Sequence, residues 1–431
     1  MRWLAALAGF LLSWQTVWIL RPGTLGGVPW PLATIGVYAS DAVLLAAAVV
    51  GVVRAWRGGV ANPRGWPIFP RRHLLLSFGL LLALAAVNTW VSADSDLSTI
   101  GWVRLIAFLF AIAGLPYSRK IARAFLGGFV IAMLGHAVIG IVQFFALSSI
   151  ASTLLGIAPH AAWTLGDSVI VREGERWLRA YGGFPHPNVF GAALLVALLS
   201  LPVISTGAKR GLTLLRKGSD PFSLTMLSLE MTIWVIFTAV LLLTFSRAAL
   251  LGLGVLLVAC ACQRAMRRFA VIGTVVAVIG IALTWSFWVP RVAVTGANEA
   301  RSRTERTDGF RGAGTLLREH PLIGVGLHAM PRALIARTPA RDPYTAQPVH
   351  NAPLLALVEI GAVGVLVFVF MLIFFIASLR HDPCSMRNSP FLFVLLPSLL
   401  FDHFFWSLPV GLALFFVLAV SMSLDRKTDA A

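Results

Sequence analysis

The dominant pattern along the chain is a repetition of long apolar runs separated by short polar stretches. Runs of about 17–25 apolar residues have the length that a helix needs to cross a bilayer. They do not alternate apolar and polar positions as the strands of a membrane barrel do. Since only helices and closed barrels satisfy every backbone group in lipid, the pattern predicts an all-α polytopic membrane protein. About twelve transmembrane helices are expected, at residues 3–20, 29–53, 74–92, 100–116, 122–148, 188–206, 225–243, 247–263, 270–289, 351–379, 390–404 and 405–424.

The short loops between these spans predict the orientation, because cytoplasmic loops carry an excess of Lys and Arg. When both termini are placed in the cytoplasm, every short and strongly basic loop falls on that side, with 20 of the 35 Lys and Arg residues. The net charge of +17 is then explained by membrane orientation and contact with anionic lipid, and it indicates no nucleic-acid partner. Residues 1–431 form a single membrane domain in this interpretation.

Two segments predicted on the outer face are too long to be plain connectors. They cover residues 149–187 and 290–350, and the second joins spans nine and ten and is expected to be partly helical. It contains nine arginines and no lysine, against five carboxylates. Arginine presents a planar fork of donors that fits a phosphate in a bidentate manner. The composition favours an anion-binding loop over a merely solvated one.

Polar side chains also lie at the outer ends of the predicted spans. His350 and Asn351 directly precede the apolar run of span ten, and Asp402 lies at the outer end of span eleven. Arg247 separates two apolar runs in "LLLTFSRAALLGLG". An arginine beside the membrane has either a partner or a functional role, or else its side chain extends to the membrane interface. Arg306 lies in a segment whose pattern predicts an amphipathic external helix.

Other ionisable residues have a structural interpretation that competes with a functional one. Asp41 and Arg104 lie within predicted spans and are expected to pair with each other. His136 is expected to be a satisfied core histidine, and Glu359 a buried polar anchor. Asp94–Asp96 forms a DxD pattern, which can hold a divalent ion with a sugar diphosphate but also supplies a helix cap.

Four stretches of the second half of the chain resemble a known family: "TFSR", "ERTDGFRGAGTLLREHPLIGVG", "HNAPLLALVEIGAVG" and "GGFPHPNVFGA". They are similar to the O-antigen ligase and polymerase-like membrane proteins of bacterial surface polysaccharide assembly. The most specific part is the histidine–asparagine pair followed by Leu354, Gly361 and Gly364. Phe310 stands where the family often has tryptophan, which keeps an aromatic ring and loses an N–H donor. The resemblance covers mainly 180–405.

The resemblance implies transfer of a glycan from an undecaprenyl-diphosphate carrier to an acceptor hydroxyl at the periplasmic face of the inner membrane. Fixed arginines would stabilise the charge that develops on the diphosphate leaving group. The residues expected in this role are Arg247 and Arg306, supported by Arg311 and Arg303. A single displacement at the anomeric carbon would invert the linkage, and neither a metal nor another cofactor is expected.

The remaining site residues have expected roles around the acceptor. His350 is the expected general base, kept neutral by neighbouring arginines so that it can accept the acceptor proton. Asn351 is expected to cap span ten and to orient the imidazole, and Asp402 to orient either His350 or Arg247. Phe310 is expected to support the diphosphate site.

Two alternatives to an O-antigen ligase stay open. A polymerase of the same family would join lipid-linked repeats, and it needs stacking surfaces for a growing chain. The second long loop is poor in aromatic residues, which favours the ligase, although Trp163, Trp177 and Tyr181 in the first loop would form such a surface. A lipid-linked glycan transporter is the non-enzyme alternative. The acceptor is lipid A–core or another glycan.

Overall fold

The computed structural model describes residues 1–56, 71–113, 118–212, 221–293, 297–338, 343–380 and 393–423. Within these ranges the chain is mostly helical, which confirms the helical character predicted from the apolar runs. The helices are α1 Arg2–Leu12, α2 Ala39–Trp56, α3 Arg71–Trp90, α4 Ser95–Ala113, α5 Arg119–Ala146, α6 Pro187–Leu212, α7 Pro221–Leu243, α8 Arg247–Ala261, α9 Arg267–Leu283, α10 Trp285–Ala293, α11 Ala297–Glu319, α12 Met330–Arg337, α13 Ala352–Arg380, α14 Leu396–Phe401, α15 Phe404–Ser407 and α16 Pro409–Ser423. The strands are β1 Val17–Arg21, β2 Thr24–Leu25, β3 Val28–Pro29, β4 Ile35–Tyr38, β5 Val169–Arg172 and β6 Glu175–Leu178.

Three of the described helices contain a stretch that is long and apolar enough to cross a membrane: Ser95–Ile112, Arg119–Ala146 and Ala352–Phe370. A fourth span results if α9 and α10, which meet at 87°, are counted together. Most of the other predicted spans coincide with shorter apolar helices of 10–17 residues, namely Arg2–Leu12, Ala39–Val53, Gly79–Trp90, Pro187–Pro202, Leu229–Leu243, Arg247–Ala261 and Pro409–Ser423. A span count of twelve stays a prediction.

The first two predicted spans, 3–20 and 29–53, are wrong at the ends that face each other. The helix α1 ends at Leu12, and β1 then pairs with β4 in an antiparallel hairpin that precedes α2. Inside this hairpin, β2 and β3 are joined by Gly26 and Gly27, both of which have positive φ, as a tight two-residue turn requires. A short apolar run does not distinguish strand from helix by periodicity alone, and the proline and glycine residues here decide for the hairpin.

The predicted span 390–404 is also wrong as a single helix in its described part. The helix α14 has six residues and ends before Asp402, whose backbone is extended with φ −150° and ψ 169°. A second short helix, α15, follows, and α16 begins only at Pro409. The break places a carboxylate and a histidine in a turn between short helices.

The helix α6 lies at the centre of the bundle, because its residues from Val189 to Ser200 are almost all buried. It packs against α5, α7, α8 and α16. A helix that is apolar on every face must be surrounded by protein or lipid, and here protein surrounds its first half. Packing on all sides therefore holds the start of α6 in place relative to the helices around it.

Ionisable residues within the predicted spans have the structural roles expected for them. Arg104 Nη2 lies 2.9 Å from Asp41 Oδ2, and the same nitrogen donates to the Gly36 carbonyl over 2.5 Å. His136 is buried in α5 and accepts a hydrogen bond from the Gly183 N–H over 3.1 Å. Both interpretations, a buried ion pair and a satisfied core histidine, are confirmed.

The helix α13 is interrupted at Gly361, which has φ 66° and ψ 179°, a backbone region open essentially only to glycine. Segment 320–327 lies against the break, and the Ala362 N–H donates to the Pro321 carbonyl over 2.9 Å. Buried Asn88 uses its amide group to donate to the Ile323 carbonyl and to the Glu359 carbonyl, both over 2.8 Å. These contacts attach the segment that follows α11 to the helix that begins beside His350.

Candidate functional site

Four sequence segments that resemble the ligase family meet at one end of the bundle. The turn between α7 and α8 lies beside the residues that precede α6, since Arg179 Nε donates to the Thr244 carbonyl over 2.7 Å. Arg179 Nη2 donates to Asn188 Oδ1 over 2.8 Å, and Asn188 Nδ2 donates to Asp402 Oδ2 over 2.8 Å. The other oxygen of Asp402 lies 3.6 Å from His350 Nδ1. The chain of contacts leads from a buried arginine to the histidine that precedes α13.

His350 and Asp402 have the arrangement of a base and the carboxylate that orients it. The distance of 3.6 Å is that of an ion pair, slightly longer than a hydrogen bond. In this arrangement Nδ1 of His350 faces the carboxylate, and Nε2, on the opposite side of the ring, is left for another partner. Asp402 is buried, whereas 26% of the His350 side chain is exposed. Of the two predicted partners of Asp402, His350 is therefore the one that this geometry favours.

Asn351 caps α13, as predicted. Its Oδ1 accepts from the Leu354 N–H over 2.9 Å, which satisfies one of the free donors at a helix N-terminus. Its Nδ2 donates to the Leu400 carbonyl over 3.0 Å, near the end of α14. Asn351 thus connects the start of α13 to the residues just before Asp402, and it fixes the backbone on both sides of the His350–Asp402 pair.

Arg179, His186 and Asn188 are functional candidates to which no role was assigned from the sequence. His186 accepts from the Asn188 N–H at Nδ1 over 3.1 Å, and its Nε2 lies 2.8 Å from Ser168 Oγ. Burial, and then the positive charge of Arg179, lower the pKa of His186 to about 3, so it stays neutral. The "PHPN" sequence was the available signal for a polar site. Asp402, which binds Asn188 of this motif, lies 214 residues further along the chain.

Arg247 is the first residue of α8, directly after Ser246, whose hydroxyl accepts from the Ala249 N–H. Its Nη1 donates to the Arg291 carbonyl over 3.0 Å, while Arg291 Nη2 lies 3.3 Å from the Phe245 carbonyl. The two arginines are thereby brought together where α10 meets the turn between α7 and α8. This is the same turn that accepts the hydrogen bond from Arg179.

The predicted arginines of α11 differ in their surroundings. Arg306 is half-buried and lies one helical turn before Gly309, which packs against Val349 next to His350. Arg303 is exposed, and so is Arg311, whose Nη1 lies 3.5 Å from Asp308 Oδ1. Arg306 is therefore the arginine of this helix on the face directed to the His350 segment.

Phe310, which was expected to support the diphosphate site, follows Arg306 by one turn of α11, and 46% of its surface is exposed. Its ring is therefore available at the surface of α11 near the segment that carries His350. Glu359, nine residues after His350, is a buried anchor as expected, because its carboxylate accepts from Trp406 Nε1 over 2.8 Å and from the His328 N–H over 2.9 Å.

The DxD pattern at Asp94–Asp96 is occupied by protein contacts. Asp94 Oδ1 accepts from the Leu97 N–H over 3.1 Å, which confirms the helix-cap interpretation. Arg21 Nη1 lies 2.5 Å from Asp96 Oδ2, and Arg332 Nε lies 2.5 Å from Asp94 Oδ2. These carboxylates connect the N-terminal hairpin, the start of α4 and α12.

A different group of residues has the composition of a metal site. His350, Asp402 and His403 each offer a donor atom, and these atoms lie within 4.8 Å of one another. Asp94–Asp96 was considered as a metal-binding pattern from the sequence, and this cluster was not predicted. His403 was not predicted to face His350, because it reaches that position only through the break after α14.

Residues 232–369 match the O-antigen ligase family. The match includes Arg247, Arg306, His350 and Asn351, and confirms the resemblance that these motifs predicted. The family consists of membrane ligases and polymerases whose substrates are, in general, lipid-linked glycans and their acceptors. Comparison with curated proteins finds no significant match to the chain.

Proposed function

We propose that the protein transfers a glycan from an undecaprenyl-diphosphate carrier to an acceptor hydroxyl, as an inverting and metal-independent O-antigen ligase. The proposed site is at the periplasmic face of the bacterial inner membrane, with both termini in the cytoplasm and with lipid A–core or another glycan as the acceptor. The observation that carries the proposal is the His350–Asp402 pair at 3.6 Å, in which His350 directly follows Val349, a residue that packs with α11.

His350 acts as the general base in this proposal. The acceptor hydroxyl loses its proton as its oxygen attacks the anomeric carbon, and a neutral imidazole nitrogen is the natural acceptor of that proton. Asp402 holds Nδ1–H towards itself and stabilises the imidazolium that forms, which leaves Nε2 as the atom that takes the proton. Asn188 supports this role, because its amide holds the second oxygen of Asp402.

The arginines act on the leaving group. When the bond between the anomeric carbon and the diphosphate oxygen breaks, negative charge develops on the diphosphate. We assign the stabilisation of this charge to Arg247, at the start of α8, and to Arg306, which is half-buried on α11. Arg303 and Arg311 are exposed and contribute at longer range. One displacement without a covalent enzyme intermediate inverts the configuration.

The aromatic residues of the first external loop favour the ligase over a polymerase. Tyr181 is 2% exposed and stacks on His160 with ring centroids 3.9 Å apart, and Trp177 packs on Phe287 at 5.1 Å. Of the three aromatic residues considered as a platform for a growing glycan, Trp163 is the one with a large exposed surface, at 70%. Among these three residues, Trp163 is therefore the one whose ring is largely accessible for stacking on a glycan.

Substitution of the three principal residues tests the site. Arg247→Ala, Arg306→Ala and His350→Ala are each expected to insert normally and to lower the rate of transfer by about 10²–10³. Arg301→Ala is the matched control for Arg306, because Arg301 lies on the same helix and pairs with Glu305 over 2.8 Å while remaining exposed. Near-normal turnover by the His350→Ala protein removes it as the base.

Deletion of the gene separates ligase from polymerase. Loss of a ligase leaves full-length polysaccharide on its lipid carrier, whereas loss of a polymerase leaves single repeats on the carrier or on the acceptor. The ligase assignment fails if only single repeats are found. Transfer by purified protein in detergent, where no membrane compartment exists, excludes the transporter.

A further inference from the structure

We infer that His350, Asp402 and His403 form an inhibitory binding site for a zinc-type divalent transition metal. Their donor atoms lie within 4.8 Å of one another. Two imidazoles and one carboxylate, with a fourth position left to water, are a ligand set that Zn²⁺ takes in proteins. Calcium and magnesium, which prefer sets of oxygen ligands, do not match these donors.

The distances within the group agree with a tetrahedral site. Ligands at about 2.0–2.1 Å from Zn²⁺ lie roughly 3.4 Å from each other. His350 Nδ1 and Asp402 Oδ1 are 3.6 Å apart, close to that edge. Ring centres of two imidazoles bound to one Zn²⁺ are about 5 Å apart by the same geometry, and those of His350 and His403 are separated by 5.0 Å. Donor atoms as far apart as 4.8 Å must approach each other by about 1.4 Å to reach this edge, which a change of side-chain torsion supplies.

The residues around the group hold its donors in place, as outer residues do in metal sites. Asn188 Nδ2 donates to Asp402 Oδ2 over 2.8 Å, while Oδ1 accepts from the His403 backbone N–H over 2.8 Å and faces His350 Nδ1. His403 Nδ1 lies 2.6 Å from Ser407 Oγ, so Nε2 is the nitrogen of this ring available to a metal. The break between α14 and α15 brings Asp402 and His403 to His350 from another part of the chain.

A metal bound here opposes the proposed reaction. If it binds His350 at Nδ1, it replaces the contact with Asp402 that orients the base, and if it binds at Nε2, it occupies the lone pair that accepts the proton. The inhibition rests on the proposed function, whereas the binding itself does not. Added Zn²⁺ is therefore expected to stop a reaction that needs no metal.

Direct binding of Zn²⁺ to the purified full-length protein tests the site without any assay of transfer. Equilibrium dialysis should give one Zn²⁺ per chain that is lost in His403→Ala and in His403→Gln, the second of which keeps a polar group for Ser407. His160→Ala is the control, because His160 also has a carboxylate neighbour, with Nδ1 2.7 Å from Asp167 Oδ1. Binding that is unchanged in both His403 variants, or absent in the wild type, overturns the inference.

Two further measurements identify the ligands in the wild-type protein and connect the site to the proposed function. X-ray absorption at the zinc edge of the wild-type protein should show nitrogen and oxygen ligands that include two imidazoles, and thiolate ligands would assign the metal to cysteine such as exposed Cys262 instead. Zn²⁺ should inhibit transfer by the wild type at least tenfold more strongly than transfer by His403→Ala. Equal inhibition of the two proteins contradicts the site even if transfer itself is confirmed.

Discussion

Replacement of Asp402 by asparagine perturbs the base without removing it. The side chain keeps its size, but it loses the charge that lies 3.6 Å from His350 Nδ1. Two unit charges at that distance attract by about 4–5 kcal/mol in an effective dielectric of about 20. Since roughly half of the imidazolium charge has developed in a transition state of proton transfer, about 2–2.5 kcal/mol of stabilisation is lost, which corresponds to about 30- to 70-fold in rate.

The same substitution also affects the fold, and the two effects must be separated. Asp402 accepts from Asn188 Nδ2 and from the His403 N–H, both over 2.8 Å, and an amide group must turn its NH₂ towards one of these donors. A conflict of this kind costs about 1–3 kcal/mol of stability. The unfolding transition of the purified variant gives this cost directly, and transfer is compared only at a temperature where both proteins are folded.

A double-substitution cycle gives the decisive readout. The rate of glycan transfer is measured for the wild type, Asp402→Asn, His350→Ala and the double variant. If Asp402 acts through His350, its substitution has almost no further effect once His350 is alanine, because the charge that it stabilises is no longer formed. An additional loss of 30-fold or more in the His350→Ala background (the full effect expected of the single variant) would refute the orientation of His350 by Asp402.

Three other predictions follow from the topology, the break in α13 and the absence of a metal from the proposed reaction. Reporter fusions should read cytoplasmic after Lys217, Arg268 and Arg387, and external near Gly174 and Ala340; any reversal among them contradicts the predicted orientation. Gly361→Ala should cost about 1–3 kcal/mol of stability from its φ of 66° alone, whereas Gly135→Ala, with nothing within 4 Å of its new Cβ, should be neutral in unfolding experiments. Excess EDTA should leave transfer unchanged, and activity abolished by EDTA and restored by Mg²⁺ or Mn²⁺ would overturn the role of the arginines.

The sequence predicted best those features that depend on neighbours along the chain. The cap at Asn351 and the apolar helix α13 that follows it required only local pattern, and the pairing of Asp41 with Arg104 followed from the cost of two separate charges in a membrane span. The N-terminal hairpin was missed for a local reason as well. Val17–Arg21 is as apolar as a helix end, and only the proline and glycine residues between it and its partner strand Ile35–Tyr38 indicate the hairpin.

The candidate site was predicted only in part, because its geometry depends on distant contacts. Asn188 reaches Asp402 across 214 residues, and Arg179 reaches the Thr244 carbonyl across 65. No local pattern reveals such contacts. His403 joins His350 only because α14 ends at Phe401 and the chain turns at Asp402. A continuous helix over 390–404, as predicted, would have directed the side chains of Asp402 and His403 to different faces of that helix.

Transfer by the isolated protein is the most direct test of the proposed reaction. Purified wild-type protein in detergent is given an undecaprenyl-diphosphate-linked glycan and a lipid A–core acceptor, in the presence of EDTA, and both the joined product and the released undecaprenyl diphosphate are quantified. We expect the two to form in equal amounts with the wild type, and to fall by about 10²–10³ with His350→Ala. Formation of no joined product by folded wild-type protein, or equal product from the His350→Ala protein, would contradict a glycosyl transfer that uses His350 as its base.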